Sequence, residues 1–243
     1  MPKQKIKIAI VTPTYQRDFF LAQTLSYIEQ QQQACFELRW FVLDDSVQIS
    51  NHVTYFQDKK FVEYKWLEEK LPLGEKRNFL NQMAKNWGAE MICSMDDDDW
   101  YGPTYISEMY NLLFSQSDLL FSGSAEDYYY DLAHDRILRI PAFYPNSSCN
   151  GVLCYKVAAL DQHHYQSTAQ FAEESHFLNH AKVLQLPDIK SVHLALAHPN
   201  NTVSKKNFCS EQYTTQLSLD DLPMLEKDKA FYRQLHLDFN NQQ

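Results

Sequence analysis

Residues 6–12 read IKIAIVT, a β-branched run stopped by Pro13, and the pattern predicts a strand. Residues 18–33 then place Phe19, Phe20, Leu21, Leu25 and Ile28 at near-helical spacing, so a helix follows the strand. Residues 36–43 (FELRWFVL) form a second predicted strand that ends abruptly in Asp44-Asp45-Ser46, and residues 61–66 (FVEYKW) a third. Residues 75–87 set Phe79, Leu80, Met83 and Trp87 on one helical face, closed by Gly88 as the residue after the helix. Residues 90–95 (EMICSM) make a short strand that runs straight into Asp96-Asp97-Asp98-Asp99. Strands alternating with helices in this way predict an α/β fold with a mostly parallel sheet covered on both faces.

From Asp118 the pattern is less regular. Residues 118–124, 128–131, 136–140 and 191–197 read as strands and residues 172–183 as a helix, a half expected to add strands and loops to the first sheet. There is no glycine-serine linker and no internal repeat, so one domain is expected over residues 1–217, with a regular first half at 1–117 and a less regular second half at 118–217. Residues 218–243 form a tail in which a helix is expected.

Composition narrows the function classes. At 243 residues with 44% apolar and 14% aromatic side chains, the chain is too rich in core-forming residues to be disordered. Its net charge of −9 has the wrong sign for gripping nucleic acid or an anionic membrane by bulk charge, so any anionic ligand must be met by a few basic groups or a metal. The five cysteines form no CxxC pair, and reduced thiols in a cytoplasmic protein are expected. The N-terminal apolar run is too short for a signal peptide, and no run is long enough for a membrane span. Peripheral association stays open.

In open α/β sheets, ligands bind beyond the carboxyl ends of the strands. Here three strand ends carry Pro13-Thr14-Tyr15, Asp44-Asp45-Ser46 and the four aspartates. Adjacent carboxylates repel, and a hard divalent cation such as Mg²⁺ or Mn²⁺ would relieve them through oxygen ligands. In an extended segment, Asp96 and Asp98 would point one way and Asp97 and Asp99 the other. The alternative is a solvated acidic turn.

The motifs VTPTYQR (residues 11–17), VLDDS (42–46), LGEKRN (73–78), SMDDDDWYGP (94–103) and AEESHFL (172–178), in this order, resemble the family-2-type glycosyltransferases. The resemblance covers about residues 6–183 and implies the GT-A fold, a Rossmann-like α/β/α sandwich, with a nucleotide-sugar donor. It places Pro13, Thr14 and Tyr15 beside the nucleotide and Asp45 on the base; the alternative for Asp44 and Asp45 is capping the next helix. It puts Arg17, Lys76 and Arg77 near the diphosphate, against the alternative of exposed helix-face charges. The aspartates match the DxD motif, with Asp98 as direct metal ligand and Asp96 or Asp97 nearer the ribose or a metal-bound water. Asp96 and His198, the latter in HPNNT, join the implied metal set, although a lone His is more often structural. Glu173-Glu174 matches an acidic pair whose second member is the catalytic base of inverting members, with Glu where many relatives have Asp. As an alternative, acids in a first helical turn favour the helix dipole.

The implied activity is transfer of a sugar from a nucleotide diphosphate donor, expected to be a UDP-sugar, to a saccharide or other hydroxyl acceptor, with Mn²⁺ or Mg²⁺ and inversion. A sugar-phosphate nucleotidyltransferase and a non-catalytic carbohydrate-binding protein are the rival readings; the first lacks a glycine-rich phosphate loop here. Tyr128, Tyr129, Tyr130, Phe143 and Tyr144 suit either sugar stacking or core filling.

Overall fold

A computed structural model of the chain describes residues 5–31, 33–199, 201 and 205–241. The elements run β1 (Ile6–Thr14), α1 (Asp18–Gln30), β2 (Phe36–Asp44), α2 (Val53–Gln57), β3 (Val62–Trp66), α3 (Leu73–Trp87), β4 (Met91–Ser94), β5 (Trp100–Tyr101) and α4 (Tyr105–Phe114). They continue with β6 (Phe121–Gly123), β7 (Asp127–Asp131), β8 (Arg136–Ile140), β9 (Cys154–Lys156), α5 (Glu174–Leu178), β10 (Val183–Gln185), β11 (His193–Ala197) and α6 (Glu226–Asn240).

Seven strands form the main sheet in the order β10-β6-β9-β4-β1-β2-β3. Every neighbouring pair is parallel except those made by β9, which runs antiparallel between β4 and β6. Both faces of β1 are covered, which explains its unbroken apolar run: Ile8 and Ile10 pack into one core with Leu21, Leu25 and Trp40. Ala9 and Val11, pointing the other way, join Leu80, Ala84 and Phe177 in a second core. The carboxyl ends of β1, β2 and β4 therefore meet in the middle of the sheet, where the loop residues of interest emerge.

The second half departs from expectation. Only part of it extends the main sheet; β7, β8 and β11 join β5 in a separate four-stranded sheet, order β5-β11-β7-β8. The helix expected over 172–183 is the five-residue α5, stopped by Asn179 at φ 43 and His180 at φ 64, and β10 begins at its expected last residue, Val183. In the first half, α3 ends as expected on Gly88, in the left-handed region at φ 81.

The tail helix has a partner. Phe231 of α6 stacks on Phe19 of α1 at 5.6 Å, Gln23 donates to Asp228 at 3.0 Å, and Tyr232 packs edge-on against Tyr130 of β7 at 5.6 Å. Among the described residues no helix is long and apolar enough to cross a membrane.

Candidate active site

The four aspartates after β4 form a bend and not an extended strand, so the expected alternation of their side chains fails. Arg17 Nη1 lies 2.8 Å from Asp97 and 3.0 Å from Asp98, bridging neighbours that alternation would separate. Asp97 also accepts the Thr14 hydroxyl at 2.5 Å. Asp96 meets Arg77 at 3.1 Å, while Asp98 Oδ2 lies 2.9 Å from His198 Nε2 and accepts Asn201 at 3.0 Å. Asp99 also lines this site but is tied to the second sheet: it accepts the Leu196 N–H at 2.8 Å and lies 3.4 Å from His193, whose other nitrogen is 2.9 Å from Asp127.

These partners set the charges apart. Burial, only partly offset by Arg17, pushes the Asp97 carboxyl up to about 6. Asp96 is raised as well, by burial and by Asp99 and Asp98 against Arg77. For Asp98 burial is outweighed by Arg17, His198 and Lys205, which hold its carboxyl well below the usual range. His193, though buried, is held up to about 10 by Asp127 and Asp99, an imidazolium clamped between two carboxylates.

The basic residues are not exposed helix-face charges. Lys76 and Arg77 are both buried in the first turns of α3. This end of α3 can approach so closely because residue 74 is glycine: a Cβ there would meet the Gln166 carbonyl oxygen at 2.0 Å. Lys76 donates to Thr14 O at 3.0 Å and to Asp45 at 2.7 Å. Burial nevertheless lowers its ammonium below the ordinary lysine value, against the pull of Asp45. Asp45 accepts the Leu71 N–H at 2.8 Å, and Asp44 holds the Ser46 N–H and the Tyr64 hydroxyl, so this pair fastens loops and caps no helix. Tyr15 lies under the Lys70 ammonium, 3.7 Å from its ring centre.

Arg77 joins the two halves. Its Nε donates to Glu173 at 2.6 Å, and Asn150 donates to the same oxygen at 2.7 Å. Together with the Asp96 contact this fixes the start of α5 against the aspartate bend, and it leaves Arg77 Nη1 buried with no hydrogen-bond partner. Arg77 holds the Glu173 carboxyl below its ordinary value despite burial. Glu174 differs: burial and the Glu173 charge raise its carboxyl, and it has no side-chain partner among the described residues. The environments of the two adjacent acids thus push their proton affinities in opposite directions.

A cavity of about 360 Å³ brings Pro13, Arg17, Arg77, Asp96, Asp97, Asp98 and Glu174 together. Thr14, Asp45 and Lys76 form a linked cluster behind this lining, through Asp97 and the Thr14 carbonyl. His198 reaches Asp98 from a larger cavity of about 970 Å³ that shares Arg17 as part of its wall and also contains Phe19, Phe20 and Asp44. Asn200 and Thr202 lie outside the described residues. Asn150, Phe171, Asn201, Lys205 and Phe208 also line the smaller cavity. They sit in loops and short turns where no hydrophobic period marks them, and only proximity to Glu174 or His198 in the chain could have drawn attention to Phe171 and Asn201.

The chain matches no protein-family model and no curated protein by sequence. Its structure is similar to that of S. aureus TarS 1–349 in complex with UDP-GlcNAc, with a TM-score of 0.59 and 16% identity over 84% of this chain and 63% of that one. It is also similar to the mannosyltransferase PcManGT from Pyrobaculum calidifontis in complex with GDP-Man and Mn²⁺, with a TM-score of 0.60 and 12% identity over 85% of this chain and 60% of that one. The chain has the GT-A fold. It spans less than two thirds of either neighbour's length.

Two donors of the kind that divalent cations take meet at the bend. Among the described residues no three His, Cys, Asp or Glu side chains are grouped to hold an ion by themselves. Asp98 and His198 nevertheless offer a carboxylate oxygen and an imidazole nitrogen 2.9 Å apart. Ligands held at about 2.1 Å in octahedral geometry lie about 3 Å from one another, and Mg²⁺ commonly takes one or two protein ligands and completes its shell with phosphate oxygens and water.

Proposed function

We infer that this protein is a nucleotide-sugar-dependent glycosyltransferase that works with inversion. The observation that carries the reading is the raised carboxyl of Glu174, engaged by no other side chain among the described residues, in one cavity with the Asp96–Asp98 bend and the buried Arg77. The diphosphate would lie along the bend, where Arg17 and Arg77 supply fixed cationic hydrogen-bond donors. The unpaired Nη1 of Arg77 is suited to a phosphate or sugar oxygen. Asp98 and His198 would hold Mn²⁺ or Mg²⁺, which when bound neutralises charge on the leaving diphosphate. Asp96, fixed by Arg77, is placed for the ribose or a ligand water. Pro13, Thr14, Tyr15 and Asp45 would frame the nucleoside, the donor being a UDP-sugar in this reading.

The reaction needs an acceptor hydroxyl to lose its proton as its oxygen bonds the anomeric carbon and the carbon–phosphate oxygen bond breaks. Glu174 takes that proton: a carboxyl whose proton affinity is raised by burial and a neighbouring acid is a better base than one locked in an ion pair. Glu173 cannot serve, because Arg77 and Asn150 already occupy its oxygen. Attack from the side of Glu174, away from the diphosphate, gives inversion.

A thermal-shift series with UDP, GDP, UDP-GlcNAc and GDP-Man, each with Mn²⁺ or with EDTA, tests the donor half of this reading. A ligand present at a hundred times its Kd stabilises the folded state by about 2.7 kcal/mol, a readily measured rise in Tm. The expected outcome is a metal-dependent rise with the uridine compounds. No shift with any of the four would remove the nucleotide-sugar reading.

A further inference from the structure

We propose that the acceptor is a saccharide ring, held by stacking on the aromatic side chains Phe171 and Phe208 of the active-site cavity. The proposal rests on the transfer reading above and names its acceptor class. The rings of the second half differ in their settings, and Phe143 and Tyr144 are exposed outside the cavity. Tyr128 and Tyr130 are buried in the core. Phe171, Phe208 and Tyr129 instead line the cavity that holds Glu174. Phe171 is 62% exposed, a large apolar surface left in water three residues before Glu174. Between them Ala172 adopts φ 52, a conformation that alanine rarely takes and that the turn presenting both side chains to one cavity requires.

Phe208 extends this surface. Its ring stands edge-on to Tyr129 at 6.0 Å and tilted to Phe143 at 6.3 Å, and Phe143 is itself 55% exposed. Phe171 and Phe208 thus offer aromatic surface within one cavity, beside polar groups. A sugar ring matches that combination. Its C–H faces carry partial positive charge and pack on the negative faces of aromatic rings, while its hydroxyls project sideways to hydrogen-bonding groups. Asn201 and Lys205 line the same cavity, and Glu174 waits there for a hydroxyl proton. The density of charged groups lining the cavity disfavours an acyl chain.

Saturation-transfer NMR on the wild-type protein tests the proposal with four methyl glycosides (β-glucoside, β-galactoside, α-mannoside and β-N-acetylglucosaminide) and with sorbitol, which has the hydroxyls but no ring face. The expected result is transfer to the C–H protons of at least one glycoside and none to sorbitol. Phe208→Leu and Phe171→Leu, which keep apolar bulk without a π face, should weaken that glycoside about tenfold. A melting curve of each variant checks that it is folded; if one is not, the other carries the comparison. Signals from none of the glycosides, equal signals from sorbitol, or undiminished binding in folded leucine variants would overturn the proposal. UDP binding measured on the same wild-type sample reports separately on the transfer reading, since glycoside stacking does not need the nucleotide.

Discussion

At the scale of single residues, neighbouring acids carry different work because their partners differ. Asp98 meets Arg17, His198 and Asn201, whereas Asp99 is engaged by His193 and the Leu196 N–H. Asp98→Asn should therefore abolish the Mn²⁺-dependent part of UDP affinity in calorimetry, whereas Asp99→Asn should leave it in place. Both side chains are buried in ion pairs, so either change should lower stability, by up to about 3–5 kcal/mol. Equal effects of the two changes on metal-dependent binding would show that Asp99 faces the ligand. That the bend would matter was legible in the four successive carboxylates; which of them pair was not. Alternation holds for extended backbone only, and the segment bends because each carboxylate finds a different fixed cation or donor.

At the scale of elements, legibility followed length and periodicity. The nine-residue strands β1 and β2 and the fifteen-residue α3 each carry a complete hydrophobic pattern. The three-residue β9 and β10 carry none, and the helix expected over 172–183 overruns the loop before β10 to its first residue, Val183, because a short apolar run suits either state. What the periodicity of α3 does not reveal is its contact with the 166–169 segment at Gly74. There Gly74→Ala would gain helix propensity in isolation. In the fold the added methyl would strike the Gln166 carbonyl, so we expect destabilisation by about 1–3 kcal/mol and displacement of the segment leading to Phe171 and Glu174. Chemical denaturation of the variant measures this; unchanged or increased stability would show that the approach is loose.

At the scale of the whole molecule, the main sheet supplies the bend and the second sheet holds it. His193 of β11 is the buried link, and its folded-state pKa of about 10 lies above the ordinary 6.5. Its contribution to stability is therefore complete below about pH 6.5 and is lost as pH rises through about 10. In that window the native state binds one more proton than the unfolded chain, a slope of about −1.4 kcal/mol per pH unit. The stability difference between wild type and His193→Gln should shrink with that slope between pH 7 and 10, and a pH-independent difference would mean that the imidazole is neutral. This second sheet was the least legible part of the fold: its strands pattern like those of the first half, and only the pairing of β11 with β5 and β7 separates them.

In the proposed mechanism Glu174 is the base of a sugar-transfer site whose neighbouring acids and cations are already paired with one another. The most direct test is release of UDP from a UDP-sugar that the thermal-shift series shows to bind, followed with Mn²⁺ for wild type, Glu174→Gln and Glu173→Gln, with UDP affinity determined for each protein. Glu174→Gln keeps size and helix compatibility but cannot take a proton. General-base loss predicts turnover lower by about 10²- to 10⁴-fold with UDP affinity close to that of wild type. Glu173→Gln should instead lose stability, through the buried charge it leaves on Arg77. Near wild-type turnover by Glu174→Gln, or a loss of UDP affinity matching its loss of turnover, would contradict the account.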